Sequence, residues 1–294
     1  MIGVRADVLD VPRQSARLAN ANAQRFASMG RLPLLVALLL AALTAASCGV
    51  PLMKLPVGPG EPASDAAALF AQATAACVRV SSLSVELGVR GSVGGSRMRG
   101  RLLVGVAGTD GLYIEAPAPF GAPVFVLGAT GGSATLLLPR DKRVVEHSTP
   151  RDMLEAIAGV PLDAAALRST LTGCAPAGTS ADGDARRLGD NWRIISGPTI
   201  LYVKREGADA PWRLVSMVRT GADGWRTDYA AFTDGVPHSV RLVSNAPRRF
   251  DLRLELSQLE LNPTLDPATF RVVVPPGTQP MSIEELRAGG PISK

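Results

Sequence analysis

Apolar and polar residues alternate along most of the chain beyond residue 82, and this pattern predicts β-strands that bury one face. In the segment 83–90 every second residue is leucine or valine, and Ser, Glu, Gly and Arg occupy the positions between them. Gly94-Gly95-Ser96 predicts a hairpin turn into a second strand over 97–106. Further strand-like segments follow at 112–116, 123–128, 134–138, 143–146, 192–196, 200–205, 212–218, 225–229, 239–243 and 250–261.

Two of these strands depart from simple alternation. Residues 124–127 are apolar on both faces, which indicates a strand that is covered on both sides. In the last strand the leucines up to Leu256 share one face, whereas Leu259 and Leu261 have the opposite parity. A slip of one residue near Ser257-Gln258 restores the alternation, so we predict a β-bulge there.

The helical period appears only in short segments. Helices are predicted over 66–80 and 282–287, and two more begin after Thr149-Pro150 and after Asp163. A polar loop, 176–184, separates the second pair from the later strands.

These elements together predict a mainly β fold. We expect a single strongly curved antiparallel sheet, a half-barrel of about 11 strands, with the short helices as a lid or plug. A curved sheet with helices in its mouth encloses an apolar cavity, and such cavities bind lipid or another hydrophobic ligand. The residues expected to form the lid and the cavity are Met153, Leu154, Ile157, Leu167, Leu171, Phe125 and Leu127.

The first fifty residues have the composition of an export signal. Arg31 precedes an apolar run over 32–46, which is shorter than the roughly 20 residues of a membrane-spanning helix. A basic flank, a short apolar segment and small residues before a cleavage site are typical of a secretory signal peptide. Met29 is a natural start for it, and residues 1–28 are then either a long basic region or an extension from a misassigned start codon.

The cleavage site resembles a bacterial lipobox, because Ala45-Ala46-Ser47 leads directly into Cys48. We expect lipid on Cys48, and an ordinary signal peptide with a coincidental cysteine is the alternative. The predicted organisation is a signal peptide over 1–47, lipidated Cys48 with a proline- and glycine-rich tether to residue 62, a half-barrel over 63–262 and a C-terminal extension over 263–294.

The remaining cysteines are Cys77 and Cys174. The envelope is oxidising, and only one pairing is left once Cys48 is lipidated. We therefore predict a disulfide between them, with two buried free thiols as the alternative.

Charge and candidate chemistry exclude several function classes. The chain has 31 basic and 26 acidic residues, and residues 1–47 carry five arginines against two aspartates, which leaves a nearly balanced body. Such a body has no electrostatic footprint for nucleic acid. We find no nucleophile elbow, phosphate loop or metal-ligand spacing, so we predict no catalytic residue, no metal and no cofactor.

Several motifs occur in an order that resembles one family. They are Ala118-Pro119-Phe120-Gly121, Met153-Leu154, Ile157, Gly159-Val160-Pro161-Leu162, Leu167-Arg168, Leu171, Gly173, Gly224-Trp225 through Tyr229, Pro237 and the strand 250–261. Over roughly residues 81–261 this pattern resembles LolB, the outer-membrane lipoprotein receptor. The tail beyond Asn262 has no counterpart in LolB and looks more like the carrier LolA.

The resemblance implies a half-barrel with a helical lid whose cavity takes the acyl chains of other lipoproteins, without enzymatic activity. It also implies that Phe120, on a tight Pro-Phe-Gly loop, faces the membrane and helps to deliver cargo. A Phe120 that folds back onto the rim of the sheet is the alternative. The expected partners are acyl chains, a periplasmic LolA-like carrier and the membrane that holds the anchor.

Three functions therefore stay open. The first is a monomeric receptor that inserts lipoproteins into the outer membrane from its periplasmic side. The second is a lipid or glycolipid carrier with the same fold, and the third is a structural envelope lipoprotein whose cavity is filled by its own side chains. The volume of the cavity and the identity of its occupant separate these functions.

Overall fold

The computed structural model describes residues 51–289, apart from residues 180, 182, 222, 247 and 248. The predicted signal peptide and Cys48 lie outside the described residues. The folded unit begins at Met53.

One large sheet forms the body of this unit. All neighbouring strands in its described part are antiparallel, except that β15 runs parallel to β7. The strands are β1 (Glu61–Pro62), β2 (Ser82–Val93), β3 (Ser96–Ala107), β4 (Gly111–Ala116), β5 (Phe125–Thr130), β6 (Ser133–Leu138), β7 (Arg143–Ser148), β8 (Asp184–Leu188), β9 (Trp192–Ser196), β10 (Thr199–Lys204), β11 (Arg213–Arg219), β12 (Trp225–Thr233), β13 (Val236–Ser244), β14 (Phe250–Leu261) and β15 (Gln279–Pro280). Their order across the sheet is β1-β8-β9-β10-β11-β12-β13-β14-β2-β3-β4-β5-β6-β7-β15.

The alternation in the sequence matches the faces of the sheet. In β2 the residues from Leu83 to Val89 at odd positions are buried, and those between them are more exposed. The pairing of β14 with β2 shifts register between Ser257 and Glu260, and Gln258 has a left-handed φ of 49°. The predicted bulge is therefore confirmed.

Four short helices accompany the sheet: α1 (Ala66–Thr74), α2 (Pro150–Ala158), α3 (Ala164–Thr172) and α4 (Ile283–Ala288). The helix predicted over 66–80 ends at Thr74, and a 3₁₀ turn, Cys77–Arg79, follows it. Helix α1 packs on strands β8 to β11.

The predicted fold class is confirmed, with more strands than expected. Strands β1, β8 and β15 have no counterpart in the sequence prediction. Two of them have only two residues, and β8 is polar, so neither length nor alternation identifies them. From Met53 the predicted tether lies against the sheet, because Arg226 donates to the Met53 carbonyl and β1 pairs with β8.

The segment after β14 packs as a strap over one half of the sheet. This C-terminal strap, residues 263–289, crosses the outer face of β3, β4 and β5, where a 3₁₀ turn, Pro267–Phe270, contacts β4 and β5 and buries Phe270. It then adds β15 beside β7, and α4 packs on α2 through the buried Leu286. The strap and the helices thus cover both faces around β5, as the apolar segment 124–127 predicted.

Candidate functional site

An apolar cavity lies between the inner face of the sheet and the helices α2 and α3. Its volume is about 170 Å³ and it opens to solvent. Strands β2 to β5, β13 and β14 form its floor and walls, and the two helices with the turn between them cover it. Its lining includes Leu87, Val89, Ile114, Phe125, Leu154, Ile157, Val160, Leu167, Leu242, Leu252 and Leu254.

The local sequence explains how this lid forms. The Thr149 hydroxyl accepts the Asp152 N–H at 3.1 Å, and the Asp163 carboxylate accepts the Ala166 N–H at 2.7 Å, so each helix has a side-chain cap. Gly159 and Gly173 end the helices in the left-handed conformation, with φ of 70° and 75°. Both helices are therefore short and capped at both ends.

Two arginines hold the lid to the sheet. Arg168 on α3 donates to the carbonyl of Ser81, at 3.2 Å, and to that of Gly108. Arg249, just before β14, forms an ion pair with Glu155 on α2 at 2.6 Å. Ser81 and Gly108 flank one end of the β2–β3 pair, and Arg249 precedes β14 at the other end, so the two arginines hold the lid helices at opposite ends of these strands.

The structure brings together four of the seven residues predicted for the lid and cavity. Phe125, Leu154, Ile157 and Leu167 line the cavity. Met153, Leu171 and Leu127 are fully buried in the surrounding core and are not part of the lining. Residues of β2, β3, β4, β13 and β14, which the sequence pattern placed only in strands, line the rest of the cavity.

The loop that carries Phe120 leaves the sheet beside the cavity. It joins the end of β4 to β5, and its ends at Pro117 and Val124 both line the cavity. The Phe120 side chain is 90% exposed, so it does not fold back onto the rim. Arg140 donates to the carbonyls of Ala122 and Phe120, at 3.2 and 3.4 Å, and this fixes the path of the loop.

The predicted disulfide is present between Cys77 and Cys174, whose Cα atoms are 5.6 Å apart. Cys77 follows α1 and Cys174 follows α3. The bond therefore ties the helix on β8–β11 to the lid.

Polar contacts in the described part of the chain join its elements to one another. Arg193 donates to both oxygens of Asp65 at 2.8 Å, and this hydrogen-bonded ion pair lowers the Asp65 pKa. Burial raises the pKa of Tyr229 far above its ordinary value.

Over the described residues no group of three His, Cys, Asp or Glu side chains is placed to hold a metal ion. The helices within residues 51–289 are also too short or too polar to span a bilayer.

Sequence comparisons with protein-family models and with curated proteins gave no match. Structural comparison found similar chains at low identity. A LolA superfamily protein from Nitrosomonas europaea is 13% identical, with 70% of this chain and 97% of that chain covered and a TM-score of 0.46. An outer membrane lipoprotein-sorting domain from Vibrio parahaemolyticus is 13% identical over 70% and 97% of the two chains, with a TM-score of 0.43. The lipoprotein LppX from Mycobacterium tuberculosis is 15% identical over 67% and 97%, with a TM-score of 0.29.

Proposed function

We propose that this protein is a lipid-anchored envelope protein that binds acyl chains in its cavity, receives lipoproteins and inserts them into the outer membrane. The observation that carries the proposal is the apolar cavity under a lid that two arginines fasten. Its lining carries aliphatic and aromatic side chains, and the arginine side chains in it belong to the exposed residues of β3 at its mouth. Burial of methylene groups there is worth about 0.8 kcal/mol each, so transfer requires no catalytic residue.

The volume of the cavity indicates how a chain enters. About 170 Å³ is smaller than the roughly 300–1,000 Å³ of common small-molecule pockets. A long acyl chain therefore requires α2 to move away from the sheet. The Arg249–Glu155 pair and the contact of α2 with α4 are the interactions that would have to loosen.

Native mass spectrometry with lipid extraction tests the proposal on the full chain carrying Cys48→Ala, which has no acyl group of its own to occupy the cavity. We expect co-purified acyl lipid, or uptake of an added triacylated peptide. Bound lipid without any uptake of peptide would support the lipid or glycolipid carrier instead. A protein that purifies without lipid and takes up neither acyl lipid nor triacylated peptide would overturn the proposal. The structural envelope lipoprotein would then be the remaining function.

A variant that narrows the cavity tests the same proposal, and a matched substitution elsewhere in the chain is its control. Gly100 borders the cavity, and a Cβ built on it meets nothing within 4 Å, so the side chain of Gly100→Leu begins in open space at the mouth. Gly207 has equally open surroundings in a loop outside the cavity, so Gly207→Leu controls for the substitution itself. We expect Gly100→Leu to lower the uptake of triacylated peptide about tenfold and Gly207→Leu to leave it unchanged.

Phe120 has a separate expected role in delivery. An exposed aromatic side chain on a fixed loop can enter the acyl boundary of a bilayer, so Phe120→Ser should slow transfer of bound lipopeptide to vesicles without weakening its uptake. Val273 is 85% exposed on the strap and serves as the control. If Val273→Ser slows transfer as much as Phe120→Ser, the loop has no special role.

A further inference from the structure

Strand β3 extends beyond its neighbour and leaves a free edge at the mouth of the cavity. Residues 103–107 of β3 pair with β4, whereas residues 96–102 pair only with β2 among the described residues. Residues 98–102 of this free edge line the cavity on one side, and Pro117 and Val124 line it on the other. An unpaired edge of this length is a template for another strand.

The hairpin geometry shows which backbone groups face outward. Val93 and Ser96 pair across the two-residue turn Gly94-Gly95, whose φ values of 58° and 83° are those of a type I′ turn. In such a hairpin the pair next to the turn exchanges both hydrogen bonds, and the pairs alternate from there. The N–H and C=O groups of Arg97, Arg99 and Arg101 therefore point away from β2.

The side chains of the free edge divide between two faces. Met98, Gly100 and Leu102 lie on the face of β3 that lines the cavity, and the three arginines alternate with them on the opposite face, where Arg99 and Arg101 also border the mouth. Gly100 has nothing within 4 Å of its Cβ position, and a glycine inside a strand often marks a close approach by a ligand or another backbone. The side chains of a strand added here would point alternately toward the cavity and toward the face that carries the arginines.

Charge specifies what kind of strand would fit. Arg90 lies opposite Arg99 on the neighbouring strand, and among the described residues Arg90, Arg97 and Arg99 form no ion pair. Pairing of the edge with a second copy of itself would bring arginines together, which is unfavourable. A segment with Asp or Glu at alternate positions would instead place its carboxylates beside the arginines.

We propose that the free edge of β3 binds an extended acidic segment of the cargo by strand addition, next to the cavity that holds its acyl chains. This inference rests on the proposed function. The acyl chains in the cavity would leave the adjoining peptide at the mouth, where the outward groups of Arg97, Arg99 and Arg101 can pair with its backbone.

The test measures the affinity of the full chain carrying Cys48→Ala for three probes by native mass spectrometry. They are a triacylated cysteine amide, the same group followed by an alternating Glu-Val peptide, and its Lys-Val equivalent. We expect the Glu-Val lipopeptide to bind about tenfold more tightly than the other two. Arg97 is the arginine of the free edge that does not line the cavity, so it is the residue to change. Arg97→Thr removes one charge, and Arg97→Pro also removes the outward N–H while it leaves the pairing with β2 intact.

We expect Arg97→Thr to lower the affinity for the Glu-Val lipopeptide in part, and Arg97→Pro to lower it to that of the amide. Affinity for the amide should not change in either variant, which shows that both fold. Equal losses in the two variants, or equal binding of all three probes, would overturn strand addition and leave the proposed function standing. Failure of the amide to bind would overturn the proposed function itself.

Discussion

At the residue scale, one buried arginine organises the start of the folded unit. Arg193 on β9 is largely buried, contacts both carboxylate oxygens of Asp65 and lies 5.0 Å from the ring centroid of Trp212. Asp65 immediately precedes α1, yet its side chain makes no capping hydrogen bond. The carboxylate is used to fix the helix to the sheet, so its charge affects the stability of that contact.

This arrangement predicts a pH-dependent effect of Asp65→Asn. The Asp65 pKa in the folded protein lies below its ordinary value of 3.8, so its contribution is complete above that value and is lost as the pH falls through the folded pKa. Because the side chain is half-exposed, we expect the variant to lower the free energy of unfolding by about 1 kcal/mol at pH 7. Urea denaturation at several pH values measures this.

The loss should shrink as the pH falls below 3.8. Asp184→Asn is the control, because Asp184 forms an exposed ion pair with Arg186 and this variant should cost less at pH 7. A loss from Asp65→Asn that stays constant down to pH 2 would contradict the role of its charge.

At the element scale, glycines on the outer face of the sheet make room for the C-terminal strap. A Cβ on Gly111 would lie 3.2 Å from the Phe270 ring, and one on Gly128 would lie 2.7 Å from the Phe270 carbonyl oxygen. Gly105 has Leu265 at 3.7 Å from its Cβ position. Three adjacent strands therefore lack side chains where the strap crosses them.

Gly128→Ala should consequently destabilise the protein. The new methyl group would lie 2.7 Å from the Phe270 carbonyl oxygen and 2.8 Å from Val272 Cγ2. The strap would have to shift to relieve these contacts, and it would then lose packing. We expect a cost of about 1–3 kcal/mol in urea denaturation. Gly100→Ala is the matched control in a strand with open space, and it should be neutral or slightly stabilising. Equal effects of the two variants would show that the strap does not constrain Gly128.

The sequence largely predicts which segments form strands and helices. It does not predict which surfaces these elements pack against. The period of two located most strands, and the parity change after Leu256 located the bulge. Helical spacing placed Met153 and Leu154 on the lid, yet it could not show that only Leu154 reaches the cavity, because that depends on which surface each side of α2 meets. The strap left a usable signal in Gly105, Gly111 and Gly128, since glycines inside strands often mark close approach.

At the scale of the whole folded unit, the inner face of the sheet has two differently filled halves. Helix α1 packs directly on β8 to β11, whereas α2 and α3 leave a cavity above strands β2 to β5, β13 and β14. The Cys77–Cys174 disulfide links the two, because it joins the turn after α1 to the end of α3. The end of α3 is thus fixed covalently to the packed half, whereas α2 is held by the Arg249–Glu155 ion pair and by its contact with α4.

Because of this position, we expect the Cys77–Cys174 disulfide to contribute strongly to stability. It connects residues that are 97 positions apart, and a loop of that size corresponds to about 4–5 kcal/mol of lost entropy in the unfolded chain. We expect the double variant Cys77→Ala/Cys174→Ala to lose most of this stability in urea denaturation, and reduction of the native chain to give a similar loss without changing any side chain. Agreement between the two assigns the effect to the cross-link. If reduction costs little while the double variant costs much, packing of the buried cysteines and not the covalent link holds the lid to the packed half.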